Sequence, residues 1–330
     1  MKIHIVKPSP MNELDTENLV QAHFNEFTGM VGEVCMTQIQ EAVEKNWWET
    51  DFFFVYKISD ALSLVNAGIE NYVFFLNEFE AVNVDSHAFL DCNNAIEKSL
   101  FTVCRSLDWI EVFKQHKNKM IYISWGYTHN SSLLSIKRGK IKPSETKFLC
   151  MGENGEQGED FLNYVLANKF ANKFGLSITF LNNGCSFFDN TEHKFFEANS
   201  KCSIICDSTS YSRQTIFQES KGDVDFLKNH DILLDLRQRN FEGLSSHYLN
   251  AMSTGMPVIS TIAKGFGDRD NAIYHCNSNF SSIASAFKEV IDKWEDSVQA
   301  ARGFAVRRNW FEICKILYSF LKLLKNGQPS

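Results

Sequence analysis

Short apolar runs alternate with longer stretches of helical spacing along the whole chain, the pattern of strands buried on both faces and joined by helices. Lys2–Val6, residues 51–56 (DFFFVY), Tyr72–Leu76 (YVFFL), residues 100–104 and residues 120–124 (MIYIS) read as strands of a first sheet. Helices are expected over residues 38–45, 60–67, 93–98 and 108–115, which carry an apolar face or strong helix formers. Residues 130–146 (NSSLLSIKRGKIKPSET) are polar and basic with one Gly and one Pro, the composition of a linker. Alternation then restarts. Strands are expected at Lys147–Met151, 177–181, Cys202–Cys206, 231–236 and 257–260, and helices over 160–174, Ser246–Ser253 and 281–294. The fold class is α/β, with two doubly wound parallel domains in tandem, placed at residues 1–135 and 136–305.

The last helical stretch, 306–324, puts Trp310, Ile313, Cys314, Leu317, Leu321 and Leu324 on one face, with Arg307, Arg308, Lys315, Lys322 and Lys325 around it. Residues 306–330 are therefore set apart as an amphipathic helix. Two roles are open to it: closing over the domains, or lying on an anionic membrane surface. Glu312 and Cys314 add nothing to membrane affinity and favour the first.

Composition narrows the function classes. With 44% hydrophobic and 22% charged residues in 330, the chain has the mix of a folded globular protein. Five Pro and 17 Gly are few for an all-β protein of many short strands. A net charge of −7 argues against a broad basic field for nucleic acid. No apolar run reaches the ~18–20 residues of a membrane span, and the first residues lack a secretory apolar core, so a cytoplasmic protein is expected. Nine Cys without a CxxC pair read as reduced thiols.

The segment richest in chemistry is 231–260, DILLDLRQRNFEGLSSHYLNAMSTGMPVIS. A buried strand leads into Arg237, Arg239 and Glu242, then Gly243, Leu244, and Ser245 and Ser246 at a helix start. Gly lets backbone approach an anion, Ser caps the helix, and the free N–H groups with the helix dipole favour negative charge there. Arg adds bidentate contacts. Plain helix capping is the other reading of the same residues.

The run Glu242, Gly243, Leu244, Ala251-Met252, Gly255 and Pro257-Val258-Ile259 resembles the donor-site signature of the retaining GT-B glycosyltransferases of family 4. More weakly, residues 119–130 (KMIYISWGYTHN), Arg302 and the Trp310 helix are similar to other segments of that family. The resemblance implies two Rossmann-like domains facing a cleft, with the C-terminal helix crossing back to the N-terminal domain. It implies transfer of a sugar from a nucleotide-sugar donor to an acceptor hydroxyl, with retention, in glycan or glycolipid synthesis. No cofactor and no metal ion is implied, and peripheral membrane contact is compatible with it.

Carried over residue by residue, the resemblance gives Glu242 the catalytic position facing the donor sugar, where an oxocarbenium-like charge develops. Arg237, Arg239, Gly243, Leu244, Ser245, Ser246, Asn250 and Gly152 become donor-binding candidates. Asn250 stands eight positions after Glu242, where the family has a second Glu. The segment from Gly152 (GENGEQGED) is acidic where relatives supply basic residues to the diphosphate. Glu78, His87 and His129 are acceptor-side candidates. Two other functions stay open: a GT-B module that binds without turnover, and a glycosyltransferase that modifies nucleic acid, against which the acidic charge counts.

Overall fold

The computed structural model describes residues 2–8, 14–31, 33–44, 51–76, 87–123, 126, 131–151, 161–182, 201–206, 221–236, 246–261 and 271–327. These form two compact units. The first runs to Gly126 and takes up the chain again at Asn309; the second contains the described residues from Ser131 to Arg308.

Numbered along the described residues, the first unit contains β1 (Lys2–Val6), α1 (Leu14–Val31), β2 (Val34–Thr37), α2 (Ile39–Glu44), β3 (Asp51–Val55) and α3 (Ile58–Asn66). It continues with β4 (Tyr72–Leu76), α4 (His87–Lys98), β5 (Phe101–Cys104), α5 (Leu107–Val112), a 3-10 turn at Lys114–Lys119, and β6 (Met120–Tyr122). Its six strands are ordered β2-β1-β3-β4-β5-β6, and every pair is parallel. Parallel strands covered on both faces need apolar side chains throughout, and β4 (YVFFL) and β5 (FTVC) are buried at every position. One face of the sheet packs on α2 to α5 through a core that includes Phe53, Val55, Phe74, Ala61, Ile96 and Trp109.

On the other face the main tertiary partner of α1 is the C-terminal helix α12 (Trp310–Gly327). The final helix thus returns to the first unit, as expected. It begins at Trp310, later than the sequence pattern indicates, because Asn309 caps it: Asn309 Oδ1 accepts from the Glu312 amide at 2.9 Å. Trp310 seats against Gly126, where an added Cβ would lie 2.5 Å from the indole ring. His23 of α1 lies in the same core. Its Nδ1 is 2.8 Å from the Tyr56 hydroxyl, and its ring contacts Phe75 and Trp310. Burial pushes the His23 pKa down to about 3, so the ring is neutral near pH 7.

The second unit opens with a connector holding α6 (Ser131–Leu134) and a 3-10 turn at Pro143–Glu145. Then come β7 (Lys147–Met151), α7 (Phe161–Phe174), β8 (Ser177–Asn182), β9 (Cys202–Cys206), α8 (Lys221–Lys228), β10 (Ile232–Asp235) and α9 (Ser246–Ser253). β11 (Val258–Ser260), β12 (Ile273–His275), α10 (Phe280–Asp292) and α11 (Trp294–Val306) complete it. The order is β12-β11-β10-β7-β8-β9, again parallel throughout. Phe148, Phe170, Ile178, Leu234, Ile259, Ile283 and Phe287 form its core with α7 and α10. Where the sequence pattern suggests a free linker, Leu133, Ile136 and Arg138 are buried against this unit.

Six described elements lie outside the sequence expectations: β2, β12, α1, α6, α8 and α11. β2 and β12 are edge strands of four and three residues and are partly exposed, so they lack a full apolar run. In α1 the polar His23 occupies a core position between Val20 and Phe27 and interrupts the apolar spacing. α8 is largely polar in sequence, and Leu227 is fully buried.

Candidate functional site

In an open parallel sheet, ligands bind beyond the carboxyl ends of the strands at the point where the strand order reverses. In the second unit that point falls between β7 and β10, which pair directly through Ile232↔Phe148, Leu233↔Leu149 and Leu234↔Cys150. The chain leaves these neighbouring strands from the same edge, at Met151 and Asp235. The next residues along the chain are Gly152 in one case and, after Leu236, Arg237 in the other. Donor candidates on two segments far apart in sequence therefore follow adjacent strand ends at the switch point. Gly152, Arg237, Arg239, Glu242, Gly243, Leu244 and Ser245 themselves lie outside the described residues.

The described part of the site is α9, which starts at Ser246 and runs back toward the amino edge of the sheet, where β11 begins. Tyr248, Leu249, Ala251, Met252 and Ser253 are buried, whereas Asn250 is half-buried. A helix enclosed in this way is held by its sides. The last turn is tightly closed: the Ser253 hydroxyl donates to Asn250 O at 2.6 Å, the Thr254 hydroxyl to Ala251 O at 2.7 Å, and the Gly255 amide to Met252 O at 2.8 Å. Gly255 has φ +85°, and an added Cβ would lie 2.7 Å from Val298 Cγ1.

Two guanidinium groups meet at the end of this helix. Arg138, from the connector, donates through Nε to Thr254 O at 2.9 Å and through Nη2 to Thr254 Oγ1 at 2.6 Å. The same side chain donates to Leu227 O at 3.0 Å and to His230 O, at the end of α8. Arg302 of α11 donates to Thr254 O at 3.2 Å and to Ile136 O. The Arg138 side chain is only 4% exposed, and Asp231 is 3.9 Å away. Burial lowers the Arg138 pKa to about 10, with Asp231 opposing and Arg302 adding to the shift, so the group is charged at pH 7.

Sequence reasoning missed Arg138, because a single Arg among Lys137, Gly139 and Lys140 has the look of a solvated linker charge. The available hint was the spacing of Leu133 and Ile136, both buried. It also missed the polar row at the carboxyl edge of the sheet, where Asp235, Ser260 and His275 stand in register on β10, β11 and β12. Asp235 and Ser260 are buried. On the acceptor side, His87 is the first residue of α4 and is exposed, while Glu78 and His129 lie outside the described residues.

No family model and no curated protein sequence matches the chain. Solved structures do resemble it. The lipopolysaccharide outer core galactosyltransferase WaaB, in its apo form, is similar with a TM-score of 0.65 at 13% identity, over 98% of this chain and 100% of that one. A structure described as trehalose-6-phosphate from E. coli bound with UDP-2-fluoro glucose has a TM-score of 0.58 at 10% identity, over 82% of this chain and 73% of that one. TarM, from S. aureus, has a TM-score of 0.55 at 15% identity over 83% of this chain, which spans 54% of TarM's own length. At such identities the likeness is one of fold, and with two parallel six-stranded α/β units the chain has the GT-B fold.

Proposed function

We propose that this protein is a nucleotide-sugar-dependent glycosyltransferase that acts with retention and without a cofactor or metal ion. The observation that carries the reading is the direct pairing of β7 and β10 at the switch point of the second sheet, the two strands after which the chain continues in sequence into Gly152 and into Arg237. Structures of similar fold whose descriptions include UDP-2-fluoro glucose or UDP support a nucleotide-sugar as the ligand. The diphosphate would meet the N-terminal end of α9 and the guanidinium groups of Arg237 and Arg239. Asn250 offers a neutral amide to the ribose, and Glu242 faces the sugar.

The acceptor is a glycan or glycolipid hydroxyl, with Glu78, His87 and His129 as the groups assigned to its side. The setting is surface polysaccharide or glycoconjugate synthesis in the cytoplasm. None of the helices in the described residues is long and apolar enough to cross a membrane. Peripheral contact is supported by α12, whose exposed Ile316, Phe320 and Leu323 share the helix with exposed Lys315, Lys322 and Lys325.

A thermal-shift screen with UDP-, GDP-, ADP- and CMP-sugars tests the donor assignment. A true donor at 100 times its Kd stabilises the folded state by about 2.7 kcal/mol. With that donor, Glu242→Ala is expected to abolish sugar transfer and leave the melting temperature unchanged. Near-normal transfer by the variant would remove Glu242 from the chemistry. Binding without transfer or hydrolysis in the wild type would make the protein a binding module.

A further inference from the structure

We infer that Arg138 is a positioning residue for the donor site: it fixes the axial position of α9, and through it the anion-binding N-terminal end of that helix. The inference rests on the nucleotide-sugar reading above. α9 has eight residues, so its two ends are only about 12 Å apart, and at 1.5 Å per residue an axial slip of one residue at the C-terminal end appears in full at the N-terminal end.

Arg138 controls that C-terminal end with unusual completeness. One guanidinium holds both the carbonyl and the hydroxyl of Thr254, immediately after α9, and the carbonyls of Leu227 and His230 at the end of α8. These two helices flank β10 in sequence, and β10 forms one side of the switch point. A single rigid fork therefore ties the helix before this strand to the helix after it, at the amino edge of the sheet.

The positive charge also sits at the negative poles of both helices, where a cation is favourable. The second guanidinium, from Arg302, holds Thr254 O and the connector carbonyl Ile136 O, and Trp294 Nε1 donates to Gly139 O at 2.8 Å, so the connector segment bearing Arg138 is itself pinned. Lysine cannot reproduce this arrangement. Its three donors radiate from one nitrogen, whereas the guanidinium spreads five around a plane and spans two helices.

The test is titration calorimetry at 15 °C on the full chain, using whichever of UDP, GDP, ADP or CMP gives the largest thermal shift with the wild type. Arg138→Met is expected to weaken Kd at least tenfold, and Arg138→Lys to weaken it by less. Both variants should keep the wild-type far-UV circular dichroism at that temperature. Hydrogen exchange of the Ser246–Ser253 amides should accelerate in the Met variant, while the amides of β4 and β5 in the first unit stay protected.

Unchanged Kd in Arg138→Met, with a lowered melting temperature, would overturn the positioning role and leave Arg138 as a stabilising residue only. Failure of the wild type to bind any of the four nucleotides would remove the donor reading and this inference together, which separates the two failures. Should Arg138→Met not fold, Arg138→Lys and Arg302→Met carry the same comparison, and unchanged Kd in both would overturn the inference.

Discussion

The two sheets have the same number of strands and are parallel throughout, yet the chain builds them in different orders. In the first, the strand order reverses between β1 and β3, after a single strand has been added on one side. In the second, it reverses between β7 and β10, after two strands, β8 and β9, have been added on one side. Both reversals create the kind of crevice in which α/β proteins hold ligands. The residues beyond the strand ends are different in the two. At the first, the described residues are Lys7 and Pro8 after β1 and Tyr56, Lys57, Ile58 and Ser59 after β3. At the second, the chain continues into Gly152 on one side and into Arg237, Arg239, Glu242 and Gly243 on the other. One topology offers two crevices, and the donor site proposed above belongs to the second.

The cores of the two units differ as well. The first contains an uncharged His23–Tyr56 pair among aromatic rings, with α12 closing over it. The second keeps its buried charge at the rim, where Arg138 and Arg302 are matched to helix carbonyls. A neutral imidazole in an aromatic core makes the first unit sensitive to acid. A charged guanidinium that stays ionised does not do the same for the second.

The largest expected effect sets one crevice against the other. Arg237→Ala with Arg239→Ala should weaken nucleotide affinity by about 100-fold or more, since each charge-assisted hydrogen bond contributes roughly 1.5–3 kcal/mol. Lys57→Ala, beyond β3 at the first crevice, should leave nucleotide affinity within about twofold. Equal losses from both sets of changes, measured by calorimetry, would erase the distinction between the crevices.

The next effect concerns acid. His23 has a folded pKa of about 3, below its usual value. Its contribution to stability is fully present above pH 6.5 and is lost as the pH falls from 6.5 toward 3, by about 3 kcal/mol at pH 4. Asp60 in α3 works in the opposite sense. Burial raises its pKa to about 6, so its contribution is present at low pH and is lost as the pH rises toward 6. The His23 part is therefore read from the difference between the wild type and His23→Gln. That difference in melting temperature should shrink below pH 6, and a pH-independent difference would show that His23 is not the acid-sensitive group.

The smallest effect tests the fit of the returning helix. Gly126→Ala places a methyl group against the Trp310 ring and should cost roughly 1–3 kcal/mol, in the range for overpacked cores. Chemical denaturation would show it as a lower midpoint at unchanged slope, and an unchanged midpoint would mean that α12 yields at no cost.

Much of this architecture is legible along the chain. Parallel strands buried on both faces need apolar residues at every position, so FFF, YVFFL and ILL mark themselves locally. The edge strands divide: β6 and β9 carry an apolar run, whereas β2 and β12 left no comparable signal. The donor segment is legible for a chemical reason: the residues that can approach a phosphate, Gly, Ser and Arg, stand between a strand and a helix start. Arg138 is invisible by the same logic, since in sequence a buried cation resembles a solvated one, and only its partners distinguish them.

The sequence by itself determined the α/β class, most strands, the amphipathic final helix and the segment proposed to bear the anion-binding chemistry, because each depends on residues close together along the chain. Only the tertiary structure decided the order of the strands, and with it the adjacency of β7 and β10, after which the chain continues in sequence into Gly152 and Arg237. It alone decided that Arg138 joins two helix ends and that His23 is held neutral. Strand order is set by which crossovers bury the most apolar surface, and the charge state of a buried group by what surrounds it, so neither leaves a local pattern to be read.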